Sequence, residues 1–208
     1  MDIHKLELLR EKLAGELHFD EVMRTLYATD ASAYREMPLA VAIPKTEDDL
    51  FELVNFVREN GSSIIPRTAG TSLAGQVVGG GIVVDVSVHF GEILEINKEE
   101  HWVRVQPSVI RDDLNRFLAD YGLFFGPETS TSSRCMIGGM VGNNSSGSTS
   151  IKYGVTRDKV LQIDGLLSDG TDVSFKELTS EEFKIKTREQ SLEGKIYKSI
   201  FNELSQDE

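Results

Sequence analysis

The run Pro66-Arg67-Thr68-Ala69-Gly70-Thr71-Ser72-Leu73-Ala74-Gly75-Gln76 is followed, after two valines, by Gly79-Gly80-Gly81 and the apolar segment Ile82-Val83-Val84-Asp85-Val86. This pattern restricts the possible folds more than any other part of the chain. Glycine reaches φ > 0 and has no Cβ to hold a ligand off, so successive backbone N–H groups can converge on an anion while Thr71 and Ser72 add hydroxyl donors. A cradle of uncharged donors suits a pyrophosphate. The loop has no Gly-Lys-Ser/Thr ending, so it is not a P-loop. An apolar strand follows it instead of a helix, so the strand–Gly-x-Gly-x-x-Gly–helix order of a nicotinamide-binding Rossmann unit is not met either.

A second loop sharpens the reading. Residues 126–150, GPETSTSSRCMIGGMVGNNSSGSTS, are rich in Gly, Ser, Thr and Asn yet carry apolar Met136, Ile137, Met140 and Val141. A flexible linker has no use for apolar anchors, so this is an ordered loop. Gly138-Gly139 and Asn143-Asn144 suit close backbone approach to a bound molecule, and loops of this length in compact domains are usually functional. Two such loops are expected to flank one ligand.

With both loops in view, the chain resembles the FAD-binding domain of FAD-linked oxidases of the vanillyl-alcohol oxidase superfamily, the PCMH-type flavin fold. Arg67, Gly70, Thr71 and Ser72 match that family's Arg-Gly-Gly-Gly-Thr-Ser pyrophosphate loop, with Thr68 and Ala69 in place of two glycines. Gly126, Pro127, Glu128, Thr129, Ser130, Ile137, Gly138, Gly139, Asn143, Asn144 and Gly147 match its second segment, and Tyr153-Gly154 and Asp169-Gly170 follow where expected. The segments Tyr27-Ala28-Thr29-Asp30-Ala31-Ser32 and 38–44 look like D-lactate and D-2-hydroxyglutarate dehydrogenases, above all the long bacterial forms that append an iron–sulfur domain.

The resemblance implies an α+β chain with two α/β lobes, a small β-α-β lobe and a larger mixed-sheet lobe. It implies an FAD-dependent dehydrogenase that oxidises a D-2-hydroxy acid (D-lactate, D-2-hydroxyglutarate or a glycolate-like acid) to a 2-oxo acid by hydride transfer to flavin N5. It puts Pro66, Arg67, Thr68, Ala69, Gly70, Thr71, Ser72, Leu73 and Gln76 against the cofactor from the first loop. From the second loop it adds Pro127, Glu128, Thr129, Ser130, Ile137, Gly138, Gly139, Gly142, Asn143, Asn144, Ser145 and Gly147. Covalent members carry a His near the position of Thr71. His4, His18, His89 and His101 all lie elsewhere, so non-covalent FAD is expected. The catalytic residues are unknown from this sequence and no metal site is expected. The groups that handle substrate are expected in a substrate domain C-terminal to Glu208, together with the contacts to an electron acceptor and any iron–sulfur ligands. The isolated stretch is then expected to be inactive. Two alternatives stay open: a UDP-N-acetylenolpyruvoylglucosamine reductase-type flavoenzyme, and a cofactor-binding fragment without activity of its own.

Composition sets the remaining bounds. The 208 residues suit one domain or two small lobes. Lys and Arg total 22 against 34 Asp and Glu, a net charge of −12, so nucleic acid is not an expected partner, since phosphate affinity rests on clustered Lys and Arg. Cys135 is the single cysteine, which excludes an internal disulfide and any cysteine-held cluster in this stretch. No apolar run approaches the roughly 20 residues of a membrane span, and Met1 opens no signal-like segment. The expected setting is cytoplasmic, with attachment at the periphery of the inner membrane through other domains left open.

Apolar spacing gives the elements. Leu6, Leu9, Leu13 and Leu17 predict an N-terminal helix within residues 1–35. Thr46, with Asp49 three residues on, predicts a capped helix whose face is Leu50, Leu53, Val54 and Val57 and which ends at Asn60-Gly61. With flanking strands 40–43 and 63–66 it makes the first lobe, residues 36–66. The second lobe, residues 67–176, is expected to open with strand 82–86. It continues with a hairpin (92–97 and 102–106), a helix over 107–121 capped by Ser108, and a second hairpin around Ser168-Asp169-Gly170. Residues 177–208 read as a charged helical extension.

Overall fold

The computed structural model describes residues 2–205, so Met1 and the last three residues of the expected extension lie outside the described residues. The chain divides into two compact units, residues 2–159 and 160–205.

The first unit begins with helix α1 (Ile3–Lys12), strand β1 (Glu16–His18) and helix α2 (Glu21–Leu26). Strand β2 (Ala40–Ile43), helix α3 (Glu47–Asn60), strand β3 (Ile64–Arg67) and strand β4 (Ile82–Asp85) follow. The four strands form one sheet in the order β1-β2-β4-β3, with β1 antiparallel to β2 and the other pairs parallel. The run 82–85, expected to open the second lobe, is therefore an inner strand of the first sheet. Its composition explains why: Ile82 and Val83 are 0% exposed and Val84 3%. A strand apolar on both faces fits between two neighbours in a covered sheet and not at a lobe's edge. The connection β2-α3-β3 consequently steps over β4.

Leu6, Leu9, Leu13 and Leu17 are all buried as the spacing requires, but they belong to two elements. The helix stops at Lys12, and Leu17 reaches the same core from β1, whose register pairs it with Ala42. Leu53 and Val57 of α3 pack into this core with Ala40, Ala42, Ile82 and Val84. Burying these eight Leu, Ile and Val side chains, at roughly 1.5–3 kcal/mol each, drives helix and sheet together.

Helix α3 starts as predicted: the Thr46 side chain accepts from Asp49 N, and the Asp49 side chain accepts from Thr46 N. Gly61 ends it in the left-handed region at φ 61°. Asp49 does more than cap. Its carboxylate, 2% exposed, also accepts from Ala14 N (2.8 Å), Gly15 N (3.0 Å) and Lys45 N (2.7 Å). One side chain thus fastens the α1–β1 turn to the start of α3. Burial disfavours the charged form of Asp49, but the four amides outweigh it and hold the carboxyl below its ordinary value of 3.8.

The rest of this unit carries strands β5 (Ile93–Asn97) and β6 (Trp102–Val105), paired antiparallel as expected, then helix α4 (Arg111–Ala119). Val109, Leu114 and Leu118 form a small core with partly buried Ile93, Ile96, Val103 and Val105. Ser108 does not cap α4: the helix begins three residues later, and Ser108 Oγ donates to Val86 O at 2.7 Å. A buried hydroxyl close to a strand-end carbonyl finds its partner there, and Ile110 takes the cap position without a side-chain hydrogen bond. Helices α5 (Ile137–Asn143) and α6 (Ser150–Tyr153) and a 3₁₀ turn (Thr156–Lys159) complete the unit.

The second unit pairs β7 (Gln162–Leu166) with β8 (Asp172–Lys176) through the predicted turn, where Gly170 has φ 83°. Helices α7 (Ser180–Lys186) and α8 (Leu192–Leu204) follow. A Thr179–Glu182 capping box starts α7, and Phe183 packs edge-on against Tyr197 of α8 at 5.5 Å. The fold is α+β, with one mixed sheet and two separate hairpins.

Candidate functional site

The first loop leaves the C-terminal end of β3 and returns to β4 through Gly79-Gly80-Gly81. The return needs glycine: a Cβ on Gly81 would lie 2.3 Å from Ser63 O. At the front of the loop Gly70 has φ 63°. Among the described residues, the backbone N–H groups of Ala69, Gly70, Thr71, Ser72 and Leu73 have no acceptor in the chain. The Ser72 hydroxyl donates to Gln76 Oε1 and accepts from Ala74 N. Leu73 is exposed, and Pro66 lies on the edge strand.

The second loop is held by its apolar residues and by the segment before α4. Ile137 N donates to Val109 O (2.9 Å), Gly138 N to Pro107 O (2.7 Å) and Arg111 N to Cys135 O (3.0 Å). Met140 and Cys135 are buried against each other, so Cys135 is a small core residue. The composition of 126–150 predicts a loop throughout, whereas 137–143 coil into α5. The pair Gly138-Gly139 and the further Gly142 hide that helix from propensity, and the tertiary anchors at Met136 and Met140 supply what propensity does not.

The two loops meet. A Cβ on Gly139 would lie 2.6 Å from Thr68 Oγ1, and Gln76 Nε2 donates to Asn143 Oδ1 at 2.8 Å. Ser72, Gln76, Asn143 and Ser145 are linked by side-chain hydrogen bonds across both loops. Gly142 is exposed, and a Cβ there would meet nothing within 4 Å.

Other expected site residues have partners inside the second loop. Glu128 Oε1 accepts from Ser148 Oγ (2.7 Å), and its backbone runs against Gly147. Thr129 Oγ1 donates to Cys135 Sγ, and the buried Pro127 offers its carbonyl to Arg111. Ser145 O accepts both Thr156 N and Thr156 Oγ1. Asn144, at φ 47°, caps α5 and accepts from Arg157 N. Ser130 is exposed at the start of the turn that leads to Cys135.

No motif in the sequence marks Tyr27, Thr29 or Asp85 as site residues, yet all three stand at the root of the first loop around Arg67. The Tyr27 hydroxyl donates to Asp85 Oδ2 at 2.7 Å, and the Arg67 guanidinium lies 5.1 Å from the Tyr27 ring centre. Burial, then the hydrogen bond to Asp85 and its negative charge, push the Tyr27 phenol up to about 12, against the opposing pull of Arg67. The signal was legible in part: Asp85 is the polar end of an otherwise apolar strand.

A pyrophosphate-bearing cofactor fits this donor set. The amides of 69–73 are uncharged and have no acceptor among the described residues, and glycine allows close approach. Among the described residues no group of three or more His, Cys, Asp or Glu could hold a metal ion, and no helix is long and apolar enough to cross a membrane.

The chain has the PCMH-type FAD-binding fold. Residues 38–176 match the FAD binding domain family, and the chain belongs to that family, which makes FAD its cofactor. It is 43% identical over 169 residues to a D-2-hydroxyglutarate dehydrogenase of Pseudomonas putida, covering 79% of this chain and 17% of that protein. It is 36% identical over 203 residues to the enzyme of that name from Escherichia coli, covering 96% of this chain and 20% of that protein. Among solved structures, an alkyldihydroxyacetonephosphate synthase matches with a TM-score of 0.74 at 17% identity, covering 86% of this chain and 39% of the other. The chain thus spans about a fifth of the length of these curated relatives.

Proposed function

We propose that this chain is the FAD-gripping part of a dehydrogenase that oxidises a D-2-hydroxy acid, such as D-2-hydroxyglutarate, D-lactate or glycolate, to the 2-oxo acid. The observation that carries the reading is the row of amides at 69–73 with no acceptor among the described residues, flanked by Thr68 and Gln76, which meet Gly139 and Asn143 of the second loop. The names of the relatives support the substrate class. When bound, FAD supplies the capacity to take two electrons from the α-carbon of the hydroxy acid.

The chain's own residues bind and orient. The amides and hydroxyls from Ala69 to Leu73 hold the pyrophosphate, with Thr68 and Gln76 setting the gap to the second loop. Gly138, Gly139, Gly142 and Asn143 present backbone and amide groups along the ribityl chain and ring edge. Pro127, Glu128, Thr129, Ser130, Ile137, Asn144, Ser145 and Gly147 hold that surface in shape. Attachment is non-covalent, since no His or Cys lies in the first loop and Cys135 is buried. The groups that bind the substrate carboxylate and take the hydroxyl proton, any iron–sulfur ligands and the contact with an electron acceptor belong to stretches of the relatives' length that this chain does not span. A cytoplasmic setting accompanies this reading. So do the lobe boundaries near residues 36, 67 and 177, with β4 returning to the first sheet.

The test is a visible spectrum of the purified chain after incubation with FAD and desalting. A retained flavin band is expected. A colourless product from this chain and from a longer version alike would overturn the reading. On the longer protein, bleaching of that band by D-2-hydroxyglutarate, D-lactate or glycolate under anaerobic conditions identifies the substrate, and no bleaching by any of them would remove the hydroxy-acid assignment.

A further inference from the structure

Arg67 begins a loop built to receive phosphate, yet its side chain turns back into the protein. Nη1 donates to Thr29 O at 2.8 Å. The guanidinium lies 5.1 Å from the ring centre of Tyr27, and that ring is pinned at its far end by the 2.7 Å bond to Asp85. Asp85 is the register partner of Arg67 across β3 and β4, is 6% exposed, and uses its other oxygen to accept from Ser87 N. The third side of the arrangement is the turn itself. A Cβ on Gly70 would lie 2.7 Å from Nη2 and 3.1 Å from both Cζ and Nε, so the guanidinium fills the space that any other residue at 70 would occupy. Ala31 N donates to Gly70 O at 3.2 Å and closes the contact from the other side.

We infer that Arg67 is a positioning residue that sets the curvature of the phosphate turn from beneath, and that segment 27–31, which precedes the family match, is a structural wall of the cofactor site. The inference rests on the FAD reading given above. Three features combine. The flat guanidinium fits under a glycine at φ 63°, where a lysine ammonium would leave the slot part-filled. The Tyr27 ring offers the face on which a guanidinium stacks. The carbonyl of Thr29 fixes the in-plane orientation. Moving Arg67 frees Gly70, and with it the aim of the amides at 69–73. Asp30, in the same wall, accepts from Ser32 N through Oδ1, and its buried Oδ2 has no partner among the described residues.

The experiment measures dissociation constants of FAD and of riboflavin for the apoprotein and for Arg67→Met, Arg67→Lys, Tyr27→Leu and the Arg67→Met/Tyr27→Leu pair. Apoprotein melting is followed by circular dichroism. Arg67→Met is expected to weaken FAD by about tenfold and riboflavin by less than about twofold, because only FAD carries the pyrophosphate. The double variant is expected to bind FAD about as weakly as Arg67→Met alone, since both changes break one clamp. Arg67→Lys is expected to fail to restore FAD affinity. Multiplying losses in the double variant, or rescue by lysine, would make Arg67 a direct phosphate ligand and overturn the inference. Equal losses of FAD and riboflavin would reduce the clamp to general stability and overturn it as well. Should Tyr27→Leu not fold, the lysine test and the FAD-to-riboflavin ratio still decide. A wild-type protein that takes up no FAD, in this chain and in a longer version alike, would sink the parent reading, whereas normal uptake with indifferent variants would sink this one alone.

Discussion

The first unit contains two concentrations of backbone N–H groups, and they are handled in opposite ways. Around Asp49, four amides from two stretches of chain converge on one carboxylate that is 2% exposed. In residues 69–73, five successive amides have no acceptor among the described residues. The first cluster is closed, with a buried charge fully met by donors. The second is open, half-exposed and shaped by a glycine whose backbone other residues resist. Satisfied buried polar groups hold a fold together, while a convergent set of unmet donors at the surface marks where a partner from outside belongs.

Asp49→Ala attacks the closed cluster and carries the largest expected effect. It strands buried donors that the fold cannot hydrate, so urea unfolding should fall by about 3–4 kcal/mol, well beyond an ordinary surface change. Because the folded-state value of Asp49 is lowered, its contribution is fully present above pH 3.8 and is lost as pH falls below that value. The wild type should therefore lose stability more steeply in acid than the variant does. Parallel acid curves would show that the four amides do not hold the charge.

Gly70→Ala comes next and attacks the open cluster at its hinge. A φ of 63° costs a residue with a Cβ about 1–2 kcal/mol, and the new methyl would also displace the Arg67 guanidinium. The expected result is a loss of FAD affinity larger than the loss of stability. A variant that melts lower but binds FAD normally would detach the turn from the cofactor.

The closed cluster was partly legible beforehand and the open one almost wholly, for a physical reason. A capping box is a local code, so Thr46 and Asp49 announce the start of α3. The reach of Asp49 to Ala14 and Gly15 spans 35 and 34 residues and leaves no periodic trace. The first loop, in contrast, is contiguous and uses residue types that little else requires. Where the sequence misled, long-range packing decided: β4 went to the centre of the first sheet because its apolar faces need cover on both sides. Ser108 left its cap for the Val86 carbonyl. The Tyr27–Arg67–Gly70 clamp joins residues about 40 apart and has no motif, so only the fold displays it.

Ser72→Ala trims the open cluster without moving its backbone. It removes one hydroxyl donor and the contact with Gln76, so FAD binding should weaken by about 1 kcal/mol, the worth of one hydrogen bond. Titration calorimetry at fixed salt would read it. A loss as large as that of Gly70→Ala would mean that the Ser72–Gln76–Asn143 link, and not the amides, carries the site.

Gly142→Ala separates ligand from fold more cleanly than any other change. At neighbouring Gly139 an added side chain meets Thr68 Oγ1 at 2.6 Å, so even Gly139→Asp, which should abolish FAD retention, mixes damage to the loop contact with obstruction of the ligand. At Gly142 a Cβ meets nothing within 4 Å, and the position is helical. Alanine there removes the entropic cost of glycine in a helix and should raise apoprotein stability by about 0.5–1 kcal/mol. The same methyl stands on the exposed face where the second loop closes toward the first, so FAD should bind more weakly to a more stable protein. Opposite signs in the two measurements cannot come from a damaged fold; they require something outside the chain to occupy that space. Gains in both would put Gly142 outside the cofactor's footprint and draw the boundary of the open cluster at Gly139 and Asn143.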